Sequence, residues 1–241
     1  MAAGLLAFVL IVVANVPASL AQRWIPSNIH VGSLNGTLWH GEAVSVQAGA
    51  VDIERLEWRL HPISLLAGKF AARIDATTAP DRLTAEVTVN RVGLIEAHGV
   101  DAQLDVASFA GRALPTGWSG PVSVHLDELV VEQRWISRIR GTAESGALSG
   151  PPGVQPYLGS YRLAFGDDAN AAPEELRGHF RDTGGPIEIS GEVHLYRDRR
   201  AVVSGWVRAR SNAPQVVVDD IARLPESDPQ GRRRFSIENS F

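Results

Sequence analysis

The chain has 241 residues, of which 44% are hydrophobic, with 27 acidic against 23 basic side chains for a net charge of −4. That size allows one sizeable core, but the charge balance leaves no basic excess to hold a polyanion and so argues against nucleic acid as a partner, since phosphate contacts carry most of that affinity. With no cysteine there is no disulfide framework and no thiolate metal centre, and the fold is indifferent to the redox state of its compartment, as a periplasmic protein can be.

Ala2 to Ala14 (AAGLLAFVLIVVA) carries no charge, and the uncharged run extends to Gln22 before ending at Arg23. About 20 such residues span the roughly 30 Å hydrocarbon core of a bilayer as a helix. The expected organisation is therefore a transmembrane anchor over residues 1–23 and a β-rich domain over residues 24–241. A cleaved signal peptide is the alternative, because Ser19-Leu20-Ala21 places small residues where a signal peptidase requires them. A buried helix of a soluble protein fits less well, since the run has no polar stripe. No Lys or Arg precedes the run, although such charges hold the short end in the cytoplasm, so a start upstream of Met1 or a truncated chain is expected.

From Ser33 onward the dominant period is two, the signature of strands with one buried and one wet face. It is clearest at 187–195, where Ile187, Ile189, Val193 and Leu195 share one face and Glu188, Ser190, Glu192 and His194 the other. After a charged turn at Arg197-Asp198-Arg199-Arg200 the chain returns through Ala201, Val203, Gly205 and Val207, which predicts an antiparallel hairpin. Similar alternation in Leu83-Ala85-Val87-Val89, Leu104-Val106, Val122-Val124-Leu126, Tyr161-Leu163-Phe165 and Phe235-Ile237 predicts at least eight strands, separated by turns drawn from 23 Gly and 14 Pro. Between Val51-Ile53 and Leu56-Trp58-Leu60 the apolar face changes parity, as a β-bulge or a local bend would make it do. Helical signals are limited to Pro62 to Ala67, closed by Gly68, and to Pro214 with Val217, Ile221 and Leu224. The Gly150-Pro151-Pro152-Gly153 and Asp167 to Pro173 segments read as loops within one domain. The expected fold class is mainly β: an antiparallel domain forming a curved sheet, a sandwich or an open groove.

Gly36-Thr37-Leu38-Trp39-His40-Gly41-Glu42-Ala43, read as a four-residue strand between glycines, matches a G-T-L-W-x-G-x-A signature. Leu56 to Pro62, followed by Leu65-Leu66-Ala67-Gly68, fits L-x-W-x-L-x-P-x-x-L-L-x-G. With Pro17-Ala18 and the stretch from Leu224 to Gly231-Arg232, these segments resemble the general secretion pathway protein N family of the bacterial type II secretion system. The two further arginines, Arg233 and Arg234, depart from that pattern, as does the lack of basic residues before the anchor. The resemblance implies a non-enzymatic, single-pass inner-membrane subunit with most of its chain in the periplasm, no cofactor, and other secretion subunits as partners. Gly36, Thr37, Leu38, Trp39, Gly41, Trp58 and Pro62 then form the family motif and a candidate interaction surface. Trp39 and Trp58 read either as core or as the lining of a groove or partner surface, since each joins a large apolar body to one N–H donor.

Chemistry is sparse. The histidines at 30, 40, 61, 98, 125, 179 and 194 show no metal-ligand spacing. Asp127-Glu128, Glu174-Glu175 and Asp219-Asp220 are sequence neighbours and would point to opposite faces of a strand rather than form a two-carboxylate site. Nucleophile-elbow and phosphate-loop motifs are missing. The arginine clusters at 197–200 and 232–234 read as solvated tips, or as docking patches for acidic partners or lipid headgroups. The competing function is a periplasmic carrier of lipid or another hydrophobic ligand, of AsmA-like type, which would need an apolar face left uncovered.

Overall fold

The computed structural model describes residues 15–25, 27–48, 51–109, 117–133, 135–150, 159–166 and 175–240. The first fourteen residues of the expected anchor lie outside that set, as do most of the two Gly/Pro- and Asp-rich loops. After Pro17, which forms an isolated bridge with Thr37, the chain makes a 3-10 helix over Ala18–Trp24, and no helix among the described residues is long and apolar enough to cross a membrane.

Among the described residues thirteen strands of a mainly antiparallel sheet follow, in the order of the chain. By contacts the chain divides into two compact units, Met1–Val100 and Asp101–Phe241, within the span read from sequence as one domain. The first unit holds β1 (Ile29–Gly36), β2 (His40–Ala48), β3 (Val51–Leu60), β4 (Lys69–Thr78), β5 (Asp81–Asn90) and most of β6 (Ile95–Asp105). The second holds β7 (Pro121–Glu132), β8 (Trp135–Leu148), β9 (Gly159–Phe165), β10 (Glu175–Gly184), β11 (Ile187–Tyr196), β12 (Arg200–Ala209) and β13 (Arg233–Ser240). Two short helices interrupt them: α1 (Pro62–Leu66), closed by Gly68 at φ +71, and α2 (Gln215–Ala222) after Pro214. Both fall where proline and glycine punctuate the sequence.

The alternation at 187–195 becomes β11, and its return becomes β12 in the register Ile189↔Val207, Val193↔Val203, Leu195↔Ala201, with Arg197 to Arg200 exposed at the tip. One expected strand ends early. Val106 opens a 3-10 turn instead of extending β6, because the Asp105 carboxylate accepts the Ala107 N–H at 2.8 Å and the Gly120 N–H at 3.3 Å, a side-chain cap that competes with the ladder.

The parity change in β3 is a bend and not a bulge. Pairing of β2 with β3 keeps one register from His40↔Arg59 to Ala48↔Val51, and β1 pairs with β2 as regularly, yet the Gly32, Ser45 and Glu54 level drops out of both ladders. Ser45 has φ +57, and a side chain on Gly32 would lie 3.0 Å from the Val44 carbonyl. All three strands change face at this level, so the apolar side stays continuous: Val31, Val46 and Ile53 before it, Leu34, Ala43 and Leu56 after it. The Thr78 hydroxyl on β4 accepts the Glu54 N–H and donates to the Asp52 carbonyl, both at 3.1 Å, which satisfies backbone groups at the break.

Among the described residues the buried apolar side chains are small. They are chiefly Ala43, Val46, Ala85, Ala97 and Val100 in the first unit and Ala102, Val106, Leu126, Val130 and Val207 in the second, and no large side chain is wholly buried. In the second unit two pairs of glycines make room for rings. Phe180, Gly191, Gly205 and Phe235 form one row across β10 to β13, with the two ring centroids 6.2 Å apart over the glycines. Gly141 and Gly178 flank Phe165 in a second row, and a side chain on Gly178 would lie 2.6 Å from that ring.

Candidate functional site

Six of the seven candidate site residues meet at one corner of the first unit. Thr37, Leu38 and Trp39 form the connection from β1 to β2, which corrects the reading of this stretch as a four-residue strand between glycines. The turn forms because Gly36 takes φ +86 where any Cβ would lie 2.6 Å from the His40 carbonyl. Thr37 closes it: its N–H donates to the His40 carbonyl at 2.9 Å, and its hydroxyl oxygen accepts the His40 N–H at 3.2 Å.

The turn also ties together three separate segments. The Leu38 N–H donates to the Val16 carbonyl at 2.8 Å, which docks the end of the N-terminal stretch. The Leu38 carbonyl accepts the Trp58 Nε1–H at 3.0 Å, and the Trp39 carbonyl accepts the Leu60 N–H at 2.7 Å, so β3 is locked to the same turn. Gly41 pairs with Trp58 across the ladder, and a side chain there would lie 2.5 Å from the indole ring. Both tryptophans are half-buried, between the core and the surface readings. Pro62 is not part of this knot and takes the first turn of α1, just beyond the His61 N–H bond to the Ala71 carbonyl. Beside Trp58, a cleft of about 70 Å³ is lined by His40, Glu57, Arg59, Arg73 and Asp75, far below the size of ordinary small-molecule sites, about 300 Å³ or more.

The polar face of the second unit carries a ladder of charges that sequence reasoning took one residue at a time. Glu175, Arg177 and His179 on β10 face Tyr196, His194 and Glu192 on β11. Glu175 is hydrogen-bonded to His194, and this bond, together with the nearby Arg177 charge, holds its carboxyl below the usual range against the opposing effect of partial burial. His194 also reaches Glu192 at 3.1 Å and stacks on Tyr196, over which Arg200 sits at 4.3 Å. The period-two spacing of these charges was visible, but the pairing register that matches them was not. On β6 and β7, His125 Nδ1 lies 2.6 Å from Asp101 Oδ1, and that hydrogen bond raises the imidazole pKa above its ordinary 6.5. Among the described residues no three His, Asp or Glu side chains gather in a metal-ligand arrangement.

Residues 27–236 match the family described as type II secretion system (T2SS), protein N. The chain belongs to the type II secretion system protein N family. It is 24% identical over 238 residues to the type II secretion system protein N of Vibrio cholerae serotype O1 (strain ATCC 39315 / El Tor Inaba N16961), a match that covers 95% of this chain and 93% of that protein. No solved structure matches. The family match begins two residues before β1 and ends within β13, so the protein N family spans all thirteen strands and the corner. The chain is accordingly a component of the type II secretion system.

Proposed function

We propose that the chain is a non-enzymatic subunit of the secretion machinery, held in the inner membrane by the uncharged N-terminal run that precedes Val16, with its strands in the periplasm, where it supports assembly or operation of the export apparatus through contacts with other inner-membrane subunits. The observation that carries this reading is the use made of the family motif. The Thr37 hydroxyl, the Trp58 indole N–H and the spaces at Gly36 and Gly41 are all spent on fixing a corner that joins Val16 to β1, β2 and β3. A motif occupied in this way serves a scaffold. β1 and β13 end the strand order and offer edges to which a partner's strand can add.

The test is in the native host. Deleting the gene is expected to reduce export of folded type II substrates, and a photo-crosslinker replacing Ser33 on β1 is expected to capture an inner-membrane secretion subunit. Normal export together with no captured subunit would refute the reading. A second reading, carriage of a hydrophobic ligand, is favoured by one observation: on the apolar side of β10 to β13, Phe180, Ile189, Val193 and Phe235 are only half-buried and Ile237 is exposed. Phospholipid extractable in stoichiometric amount from the detergent-purified chain would support it, and lipid-free protein would reject it.

A further inference from the structure

The first unit concentrates exposed apolar side chains at one end of its strands. Ile63 is 81% exposed, Leu66 90%, Val92 88% and Phe70 59%, with Ile95 beside them at the start of β6. Isolated exposed apolar residues are ordinary on a soluble surface, whereas a cluster of this size marks a contact surface. These residues are brought together by the fold. α1 packs on β4, Phe70 pairs with Val89 and Lys69 with Asn90, and the missing side chain of Gly68 leaves room for the Arg91 guanidinium, so the loop after α1 touches the β5–β6 turn. The Asn90 carboxamide oxygen accepts the N–H groups of Val92 and Leu94, each at 3.0 Å, and so fixes the turn at whose apex Val92 stands.

The N-terminal stretch arrives at this same end. Val16 is bonded to Leu38 and Trp39 to Leu60, two residues before α1. Val16 therefore lies at the same end of the strands as the apolar tip. Three basic side chains stand there, Arg59, Lys69 and Arg91, against Glu57 and Glu96. Exposed apolar groups rimmed by basic ones are the composition that settles into the headgroup region of an anionic bilayer.

We propose that α1 and the β5–β6 turn form a membrane-contacting tip, with Ile63, Leu66, Phe70 and Val92 immersed in the periplasmic leaflet of the bilayer that holds the run preceding Val16, and Lys69 and Arg91 on its anionic headgroups. This rests on the membrane placement proposed above. The tip gives the first unit a second attachment to the bilayer and sets its strands at a defined angle to the membrane.

Because the chain has no native cysteine, single probes can be placed at will. The full-length chain carrying Leu66→Cys, Val92→Cys or, at the opposite end of the β4–β5 hairpin, Arg82→Cys is labelled with an environment-sensitive fluorophore. It is then reconstituted into vesicles of phosphatidylethanolamine and phosphatidylglycerol containing a nitroxide-labelled lipid. Quenching at positions 66 and 92 is expected to exceed that at 82 several-fold, and Lys69→Glu with Arg91→Glu is expected to reduce it in these vesicles but not in phosphatidylcholine. A chain that floats with the vesicles while all three probes are quenched alike overturns the tip and leaves the anchor standing. A chain that does not float with the vesicles overturns the membrane placement, and the tip with it.

Discussion

The Trp58 indole is held by a hydrogen bond to the Leu38 carbonyl and by the empty space over Gly41, so the two residues fail in different ways when changed. Trp58→Phe keeps most of the ring and loses the bond, and is expected to lower stability by about 1 kcal/mol. Gly41→Ala meets the ring and two carbonyls, those of Asn35 and Thr37, within 3 Å, and is expected to cost more, on the order of 1–3 kcal/mol. Urea unfolding of the purified chain ranks the two. At His125 the expected effect is on titration. Asp101 stabilises the imidazolium, so its contribution is complete below the ordinary pKa of 6.5 and disappears as pH rises through the elevated value. Asp101→Asn is expected to bring the His125 pKa down, measured from its ring-proton shifts by NMR. Glu175 behaves in the opposite sense: its lowered pKa makes its contribution present above the ordinary carboxylate range and lost as pH falls through the depressed value.

At the scale of elements, the bend through β1, β2 and β3 shows how a sheet can change face without losing register. A bulge in one strand would have put the apolar side chains of its neighbours out of step, whereas a break at the same level in all three keeps Val31, Val46 and Ile53 continuous with Leu34, Ala43 and Leu56. The Thr78 hydroxyl bridges that break, so Thr78→Val, which keeps the shape and removes both bonds, is expected to destabilise by about 0.5–1.5 kcal/mol, since water can reach the exposed Glu54 N–H. Thermal unfolding followed by circular dichroism checks this, with the exposed neighbour Thr77 changed to Val as the control. In the second unit Phe180 and Phe235 cover the paired glycines 191 and 205, as rings do where glycines would otherwise leave strands unprotected. Gly191→Ala, whose new methyl would lie 2.1 Å from the Ser204 carbonyl, is expected to impair folding, seen as loss of soluble yield.

Over the whole molecule, the described residues bury mainly alanine and valine and leave their larger apolar side chains half in contact with solvent. The native chain is therefore expected to bind a hydrophobic dye such as bis-ANS in the absence of denaturant, with phospholipid displacing it, and fluorescence titration measures this. Much of this organisation was legible in the sequence. Strict alternation located β5, β7, β9, β11, β12 and β13, proline and glycine located both short helices, and the G-T-L-W-x-G-x-A and L-x-W-x-L-x-P segments identified the family, because strand periodicity and turn chemistry are local properties. Other features depend on which strand lies beside which. The Thr37 to Trp39 turn reads as a strand until Gly36 and Trp58 are placed around it, and the ladder from Glu175 to His194 exists only in the β10–β11 register. The gathering of Ile63, Leu66, Phe70 and Val92 beside the end of the N-terminal stretch likewise joins residues distant along the chain. Sequence by itself determined the periods, the breaks and the family, whereas adjacency across strands, which no local pattern encodes, decided the corner, the charge ladder and the apolar tip.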